Sequence, residues 1–278
     1  MTLPTLPRRD PNSHKGSYGR ALLVGGSRGM SGAIGLAGMA TLRSGAGLVT
    51  LAVPDCCVDV VSGFEPSYMT AALEADDEGR ISRFAQTTIE ELMEGKNCLA
   101  IGPGLGRSDD LSDLVGWMYR TARQPLVIDA DALNALADGG QFGEFAGPRI
   151  LTPHPGEFAR IEGSAGESGD RELAVQFAAR FGVVLVLKGH RTIVTDGEQT
   201  EENLTGNPGM ATGGSGDVLT GVITALVCQG LDPWSAARLG VHVHGLAGDL
   251  AMDAYGETSL IASDLIAFLP VAFQRLTR

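Results

Sequence analysis

Residues 213–217 read Gly-Gly-Ser-Gly-Asp, and they open an apolar helical pattern of Val218, Leu219, Val222, Ile223, Leu226 and Val227. A glycine loop running into a helix aims several backbone N–H groups at one point, where the positive end of the helix dipole also lies. Gly213, Gly214 and Gly216 remove the Cβ atoms that would hold an anion away, and with Ser215 they form a candidate anion hole. Asp217 then sets a carboxylate at the rim of that hole. A simple phosphate binder gains nothing from such a neighbour, whereas phosphoryl transfer needs a base to take the proton of the attacking hydroxyl. Aspartate in a first helical turn can also merely complement the dipole. The length of the tract favours the chemical reading: five glycines and a proline fall within Gly206–Gly216.

Other chemistry-bearing residues follow apolar runs. Asp129 and Asp131 stand two apart after Leu126–Ile128. They can contribute to an Mg²⁺–water shell near phosphates, or Asp131 can N-cap the helix that carries Leu133 and Leu136; the cap is assigned to Asp131 and Asp129 is left open. His154 lies between Pro153 and Pro155, which impose an extended, rigid presentation suited to ligand contact, while Glu157 can cap the helix that follows. Lys188 ends an apolar strand and can reach phosphate oxygens as a point charge. The turn Gly189-His190-Arg191-Thr192 adds backbone N–H groups and a hydroxyl. His242 and His244 project about 200° apart on a helix and cannot share one metal ion. His242 is assigned to the core and His244 to packing or hydrogen bonding near the site.

The elements that must position these residues alternate. Strands are expected at 21–24, 48–53, 99–101 and 126–128, at a run ending in Leu151, and at 183–187. Helices are expected at 32–44, 82–93, 109–121, 170–181, 216–229, 233–253 and 262–275. Asp196-Gly197 marks a hairpin between 192–195 and 199–204. Alternation predicts an α/β domain with a mainly parallel sheet covered on both faces and an antiparallel hairpin at one edge. With no linker or composition break, 1–278 reads as one domain with an irregular lead-in over 1–17. Gly32, Gly35 and Gly38 in the first helix predict close approach to the sheet or a ligand. Ligands of such sheets bind outside the carboxyl ends of the strands, where all the turns above fall.

Composition excludes several classes. The net charge of −12 argues against a nucleic-acid surface. There is no Gly-x-x-x-x-Gly-Lys-[Ser/Thr], no hydrolase elbow, and Gly102–Gly106 lacks the dinucleotide-fold spacing. The chain has no apolar run of membrane-spanning length and no signal peptide. Cys56, Cys57, Cys98 and Cys228 form no Cys-x-x-Cys, which points to reduced thiols and a cytoplasmic setting.

Gly-Gly-Ser-Gly-Asp (213–217) resembles the anion-hole and base motif of ribokinase-like kinases. The wider set is similar to the NAD(P)H-hydrate dehydratase family: Lys15–Gly19, Gly25-Gly26-Ser27, Arg43–Val49, Ile101–Gly106, Ile128–Ala132, Leu151–Glu157 and Thr205-Gly206-Asn207. The resemblance runs in order from about residue 14 to 255 and implies a ribokinase-like three-layer α/β/α fold. It implies a hydro-lyase that restores NADH or NADPH from the 6S hydrates by phosphorylating the C6 hydroxyl and eliminating phosphate, with Asp217 as base. By the same resemblance Ala33, Gly104, His154 and Asp217 contact the hydrated dinucleotide. Lys188, Gly189, His190, Arg191, Thr192 and Gly216 contact the nucleotide. ADP is the expected donor in preference to ATP, with Mg²⁺ whose ligands stay unassigned. A homotetramer is implied, as is a separate upstream epimerase, with no epimerase module in the chain. Neither a nucleic-acid nor a membrane partner is expected. The rival readings are a kinase of the same fold acting on a hydroxymethyl-pyrimidine, thiazole or sugar alcohol, and a nucleotide-binding protein without turnover.

Overall fold

Apolar runs bounded by glycine become the strands of a single sheet. In chain order these are β1 (Arg20–Val24), β2 (Leu48–Pro54), β3 (Met69–Leu73), β4 (Cys98–Ile101), β5 (Leu126–Ile128), β6 (Arg149–Leu151), β7 (Val184–Leu187), β8 (Ile193–Thr195) and β9 (Thr200–Glu202). The computed structural model describes residues 2–163 and 170–276. The sheet order is β3-β2-β1-β4-β5-β6-β7-β8-β9. Neighbours from β3 through β7 are parallel, and β8 and β9 are antiparallel. This is the mainly parallel sheet with an edge hairpin that the alternation predicts.

Alternate residues along each strand feed two cores. Ala21, Leu23, Cys98, Ala100, Val127, Val184 and Val186 face one layer; Leu22, Val24, Leu99, Ile101, Leu126, Ile128, Leu185 and Leu187 face the other. Burial on both faces explains why these strands are apolar throughout. The first layer holds α1 (Ser31–Arg43), α2 (Val58–Ser62), α8 (Ser215–Cys228), α9 (Pro233–Tyr255) and α10 (Ala262–Leu276). The second holds α3 (Gln86–Met93), α4 (Asp109–Thr121), α5 (Ala130–Asp138), α6 (Pro155–Glu162) and α7 (Arg171–Phe181).

Small residues let α1 and α8 pack closely. A methyl at Gly221 would lie 2.2 Å from the Ala37 carbonyl oxygen, and one at Gly38 would lie 2.7 Å from a Leu51 methyl. Gly35 meets the Phe64 ring, whereas Gly32 faces open space. The close approach to the sheet expected of this helix therefore holds for Gly38 alone, since Phe64 follows α2 and is not in a strand. The described part of the lead-in is irregular until a 3₁₀ turn at Lys15–Tyr18; residue 1 lies outside the described residues. All four cysteines are free thiols.

Two elements have no counterpart in the sequence reading. The edge strand β3 is partly exposed and carries alanines and methionine where β-branched residues usually signal a strand. The helix α2 is a single turn, too short to show periodicity.

Candidate active site

The order of strands reverses between β1 and β4, and the crevice at such a point is where doubly wound sheets place ligands. Backbone bonds join the two turns beside it. Gly26 N–H donates to the Pro103 carbonyl at 2.8 Å, and the buried Ser27 hydroxyl donates to the Gly104 carbonyl at 2.8 Å. Gly104 has φ +65°, and a methyl there would lie 2.4 Å from the Met30 carbonyl oxygen and 3.1 Å from the Ala33 Cβ. Ala33 and Gly104 thus lie against each other beside the crevice.

The N-terminus of α8 points into the same region. Its N-cap, Gly214, has φ +92° with Leu36 and Ala262 packed against it, so a side chain there would be both strained and blocked. Among the described residues, the N–H groups of Gly213, Gly214, Gly216 and Asp217 find no acceptor in the protein. Helix geometry dictates that the first N–H groups lack intrahelical partners, and here the chain supplies no substitute cap. Asp217 is half-buried in the first turn.

Buried charge surrounds it. Asp129, almost inaccessible, accepts from the Lys188 ammonium on Oδ1 and from the Thr220 hydroxyl on Oδ2, each at 2.7 Å. Glu157 Oε2 lies 3.9 Å from the same ammonium. Burial raises the pKa of Asp217 from 3.8 to about 7; Asp129 adds to the rise, Lys188 opposes it, and Asp131 and Glu157 contribute further. A carboxylate poised near neutrality is what a general base requires. Burial alone would lower the pKa of Lys188, but Asp129, Glu157 and Asp217 more than offset it and hold the amine charged.

The two aspartates after β5 do not converge. The chain turns through Ala130 at φ +51°, a left-handed conformation unfavourable for alanine. This turn makes Asp129 the N-cap residue of α5 and places Asp131 in the first turn, so the cap assigned to Asp131 is corrected. Asp131 Oδ2 instead accepts from Gly106 N–H at 2.9 Å, tying α5 to the turn after β4. Both Asp129 oxygens are already engaged by Lys188 and Thr220, which leaves it poorly suited to a metal. Among the described residues no group of three or more His, Cys, Asp or Glu could hold a metal ion.

His154 occupies the N-cap of α6, where its Nδ1 accepts from Gly156 and Glu157 N–H while Glu157 accepts from His154 N–H. The capping box fixes the tautomer: with Nδ1 accepting, Nε2 carries the proton and is a donor. That nitrogen lies 3.5 Å from Glu157 Oε1 on a side chain that is still 57% exposed. His154 therefore caps and remains accessible at once. Glu157 caps as expected, and its burial raises its pKa, with Lys188 opposing.

A cavity of about 490 Å³ opens on the other side of the α8 N-terminus. Its wall includes the whole run Lys188–Thr192, Gly216, Ser215 and His244, so the residues expected to meet a nucleotide do surround one space. Ala33, Gly104, His154 and Asp217 are not in that wall; Ala33 and Gly104 meet at the crevice, and Asp217 follows Gly216, which is in the wall. Thr192 and Gly189 close a local turn, and Arg191, at φ +60°, pairs with Glu202. His244 Nε2 lies 2.9 Å from the Ser215 carbonyl, and burial lowers its pKa to about 4, so it is a neutral donor bracing the α8 start. His242 is only half-buried, which corrects its assignment to the core; its carbonyl accepts from Thr205.

Two residues that the sequence reading passed over brace the site from behind the cavity wall. Asp249 on α9 accepts from Gly206 N–H and from the Asn207 side chain, each at 3.0 Å, which pins the loop over the cavity. Thr220 is the other omission. A hydroxyl one turn beyond Gly216 in a largely apolar stretch is the available signal, which Thr224 one turn further on shares.

Comparison with known proteins identifies the family and the fold. A profile of the NAD(P)H-hydrate dehydratase family matches residues 21–270. A bifunctional NAD(P)H-hydrate repair enzyme from Moorella thermoacetica is 47% identical over 98% of this chain and 52% of its own length. The chain thus spans about half the length of that relative. An ADP-dependent (S)-NAD(P)H-hydrate dehydratase from Bacillus subtilis is 36% identical over 98% of this chain and 95% of its own. A crystal structure of ADP/ATP-dependent NAD(P)H-hydrate dehydratase from Bacillus subtilis, co-crystallised with ATP and Mg²⁺, superposes with a TM-score of 0.81 at 32% identity, covering 98% and 94% of the two chains. Sheet order, layers and neighbours together define a ribokinase-like α/β/α fold. The chain belongs to the NAD(P)H-hydrate dehydratase family.

Proposed function

We propose that this chain dehydrates the 6S hydrates of NADH and NADPH at the expense of a nucleotide. The observation that carries the reading is Asp217: a carboxylate with pKa raised to about 7, beside unpaired N–H groups of a helix N-terminus and a charged lysine. Asp217 removes the proton of the C6 hydroxyl as that oxygen attacks the terminal phosphoryl group. The free N–H groups of Gly213, Gly214 and Gly216, with Lys188, offset the charge that grows on the transferring oxygens, while the Ser215 N–H of the expected anion hole donates to the Thr212 carbonyl at 3.4 Å. Hydroxide is a poor leaving group and phosphate a good one, so the C6–O bond then breaks, driven by the lone pair of the ring nitrogen. Loss of the C5 proton restores the ring double bond. The products are reduced cofactor, phosphate and the shortened nucleotide.

The site roles proposed are these. Ala33 and Gly104, in contact at the crevice, and the exposed His154 would hold the hydrated dinucleotide, His154 donating through Nε2. Lys188–Thr192 and Gly216 line the cavity and would hold the nucleotide. ADP is the proposed donor, in keeping with the name of the full-length Bacillus relative. Mg²⁺, when bound, would neutralise phosphate charge; the donor set suits an ion held mainly by phosphate oxygens and water. We read 1–278 as one catalytic domain that works as a homotetramer in the cytoplasm, supplied by a separate epimerase. Among the described residues, no helix is long and apolar enough to cross a membrane.

The experiment is an assay of the purified protein with NADH hydrate, Mg²⁺ and either ADP or ATP, following the absorbance of reduced nicotinamide. Recovery with one nucleotide supports the reading, and a stable phosphorylated product without recovery would assign the site to a kinase instead.

A further inference from the structure

Asp129 has a role beyond balancing a buried lysine. Its two oxygens serve different elements: Oδ1 holds Lys188 from the end of β7, and Oδ2 holds Thr220 on α8, each at 2.7 Å. Thr220 lies one helical turn beyond Gly216, on the helix whose N-terminus forms the anion hole. A Cβ on Gly216 would stand 3.1 Å from the Lys188 nitrogen and 3.7 Å from Asp129 Oδ2, so lysine, carboxylate and helix start are in contact. Ala130 at φ +51° sets the direction in which Asp129 leaves the strand, a strained turn that the surrounding contacts must maintain. Glu157, at 3.9 Å and already capping His154, is a weaker anchor for the ammonium.

We propose that Asp129 is a positioning residue, clamping Lys188 and the first turns of α8 into one unit so that the lysine charge and the helix N–H groups face the same phosphoryl group. Without it, Lys188 is left with Glu157 and Asp217, and pairing with Asp217 would quench the base. The charged groups that face Asp217 are Asp129, Lys188, Asp131 and Glu157, and substituting the first redistributes the second. The catalytic part of the proposal rests on the dehydratase reading; the clamp itself does not.

The test compares Asp129→Asn, Thr220→Val and Thr220→Ser. One arm measures kcat and KM for NADH recovery. The other follows the ¹³C resonance of the Asp217 carboxyl against pH, assigned by its disappearance in Asp217→Asn, and needs no turnover. The clamp predicts that Thr220→Val loses about tenfold in kcat with little change in the KM for nucleotide, and that Thr220→Ser recovers most of it. It also predicts that Asp129→Asn moves the Asp217 titration down by about one pH unit, since a like charge is lost and a lysine is freed. Wild-type kcat in Thr220→Val, or an unmoved Asp217 titration in Asp129→Asn, would overturn it. Should Asp129→Asn fail to fold, the two Thr220 variants still decide, with the Asp217 resonance of Thr220→Val shifted in the active account and unmoved otherwise. If the wild-type protein recovers no NADH, the dehydratase reading fails on that result alone, and the titration arm still judges the clamp.

Discussion

A side chain on Gly216 would begin 3.1 Å from the ammonium nitrogen of Lys188. Gly216 lies in the first turn of α8 without a left-handed φ, so alanine is conformationally acceptable and improves helix propensity by up to about 1 kcal/mol. Gly216→Ala is therefore expected to keep or raise thermal stability while lowering turnover by about tenfold or more through displacement of Lys188. Melting curves beside rate measurements check this. Parallel loss of both would show that the glycine serves folding rather than the lysine.

Asp217→Asn is expected to bind nucleotide and lose turnover by a factor of about 10² to 10⁴. The wild-type rate should fall about tenfold per pH unit below about pH 7, where Asp217 becomes protonated. Stability should move the other way. A carboxyl with a raised folded pKa contributes stability below its unfolded value, and this is lost as pH rises through about 7. An asparagine cannot ionise, so the variant should gain on the wild type between pH 4 and 8, by on the order of 2 kcal/mol after allowance for partial exposure. Denaturant titrations at the two pH values measure the difference.

His244 works with the opposite sign. Its folded pKa, lowered by burial to about 4, lies below the 6.5 of an unhindered imidazole. The stability it contributes is present above 6.5 and lost as pH falls through about 4. His244→Gln should flatten this acid loss by on the order of 3 kcal/mol, with Asp217 acting in the contrary direction over the same range. An unchanged acid-denaturation profile in the variant would contradict the buried neutral imidazole.

Ala130, at φ +51°, sits in a conformation that glycine adopts freely. Ala130→Gly is expected to be neutral or stabilising by up to about 1 kcal/mol, where an ordinary Ala→Gly change in a helix costs about that much. A thermal melt distinguishes the two signs.

Much of this was legible in the chain. The helix α4 and the strand β5 fall where the periodicity predicts them, because each joins a clear pattern to a clear boundary: Ser108 caps α4 and Pro125 precedes β5. The start of α8 was readable from the glycine tract, and the grouping of Lys188–Thr192 from its position after a strand. The direction of Asp129 was not readable. Its partners lie 59 and 91 residues away, and it faces them only because the chain turns through Ala130, an alanine that gives no sign of its conformation. Asp131 is misplaced for the same reason, since an aspartate before an apolar pattern signals a cap unless the helix begins two residues sooner, as α5 does. The dual state of His154, capping through Nδ1 while exposing Nε2, follows from local rules, but its two flanking prolines suggested only the exposure.

The most direct test of Asp217 acting in dehydration is a single-turnover reaction with NADH hydrate, Mg²⁺ and ADP, or ATP in parallel, measuring phosphate released and reduced nicotinamide formed in one sample. The account predicts one phosphate for each NADH, no recovery without nucleotide, and loss of both signals in Asp217→Asn. Phosphate transfer that leaves a stable phosphorylated product, or no recovery with either nucleotide, would contradict it.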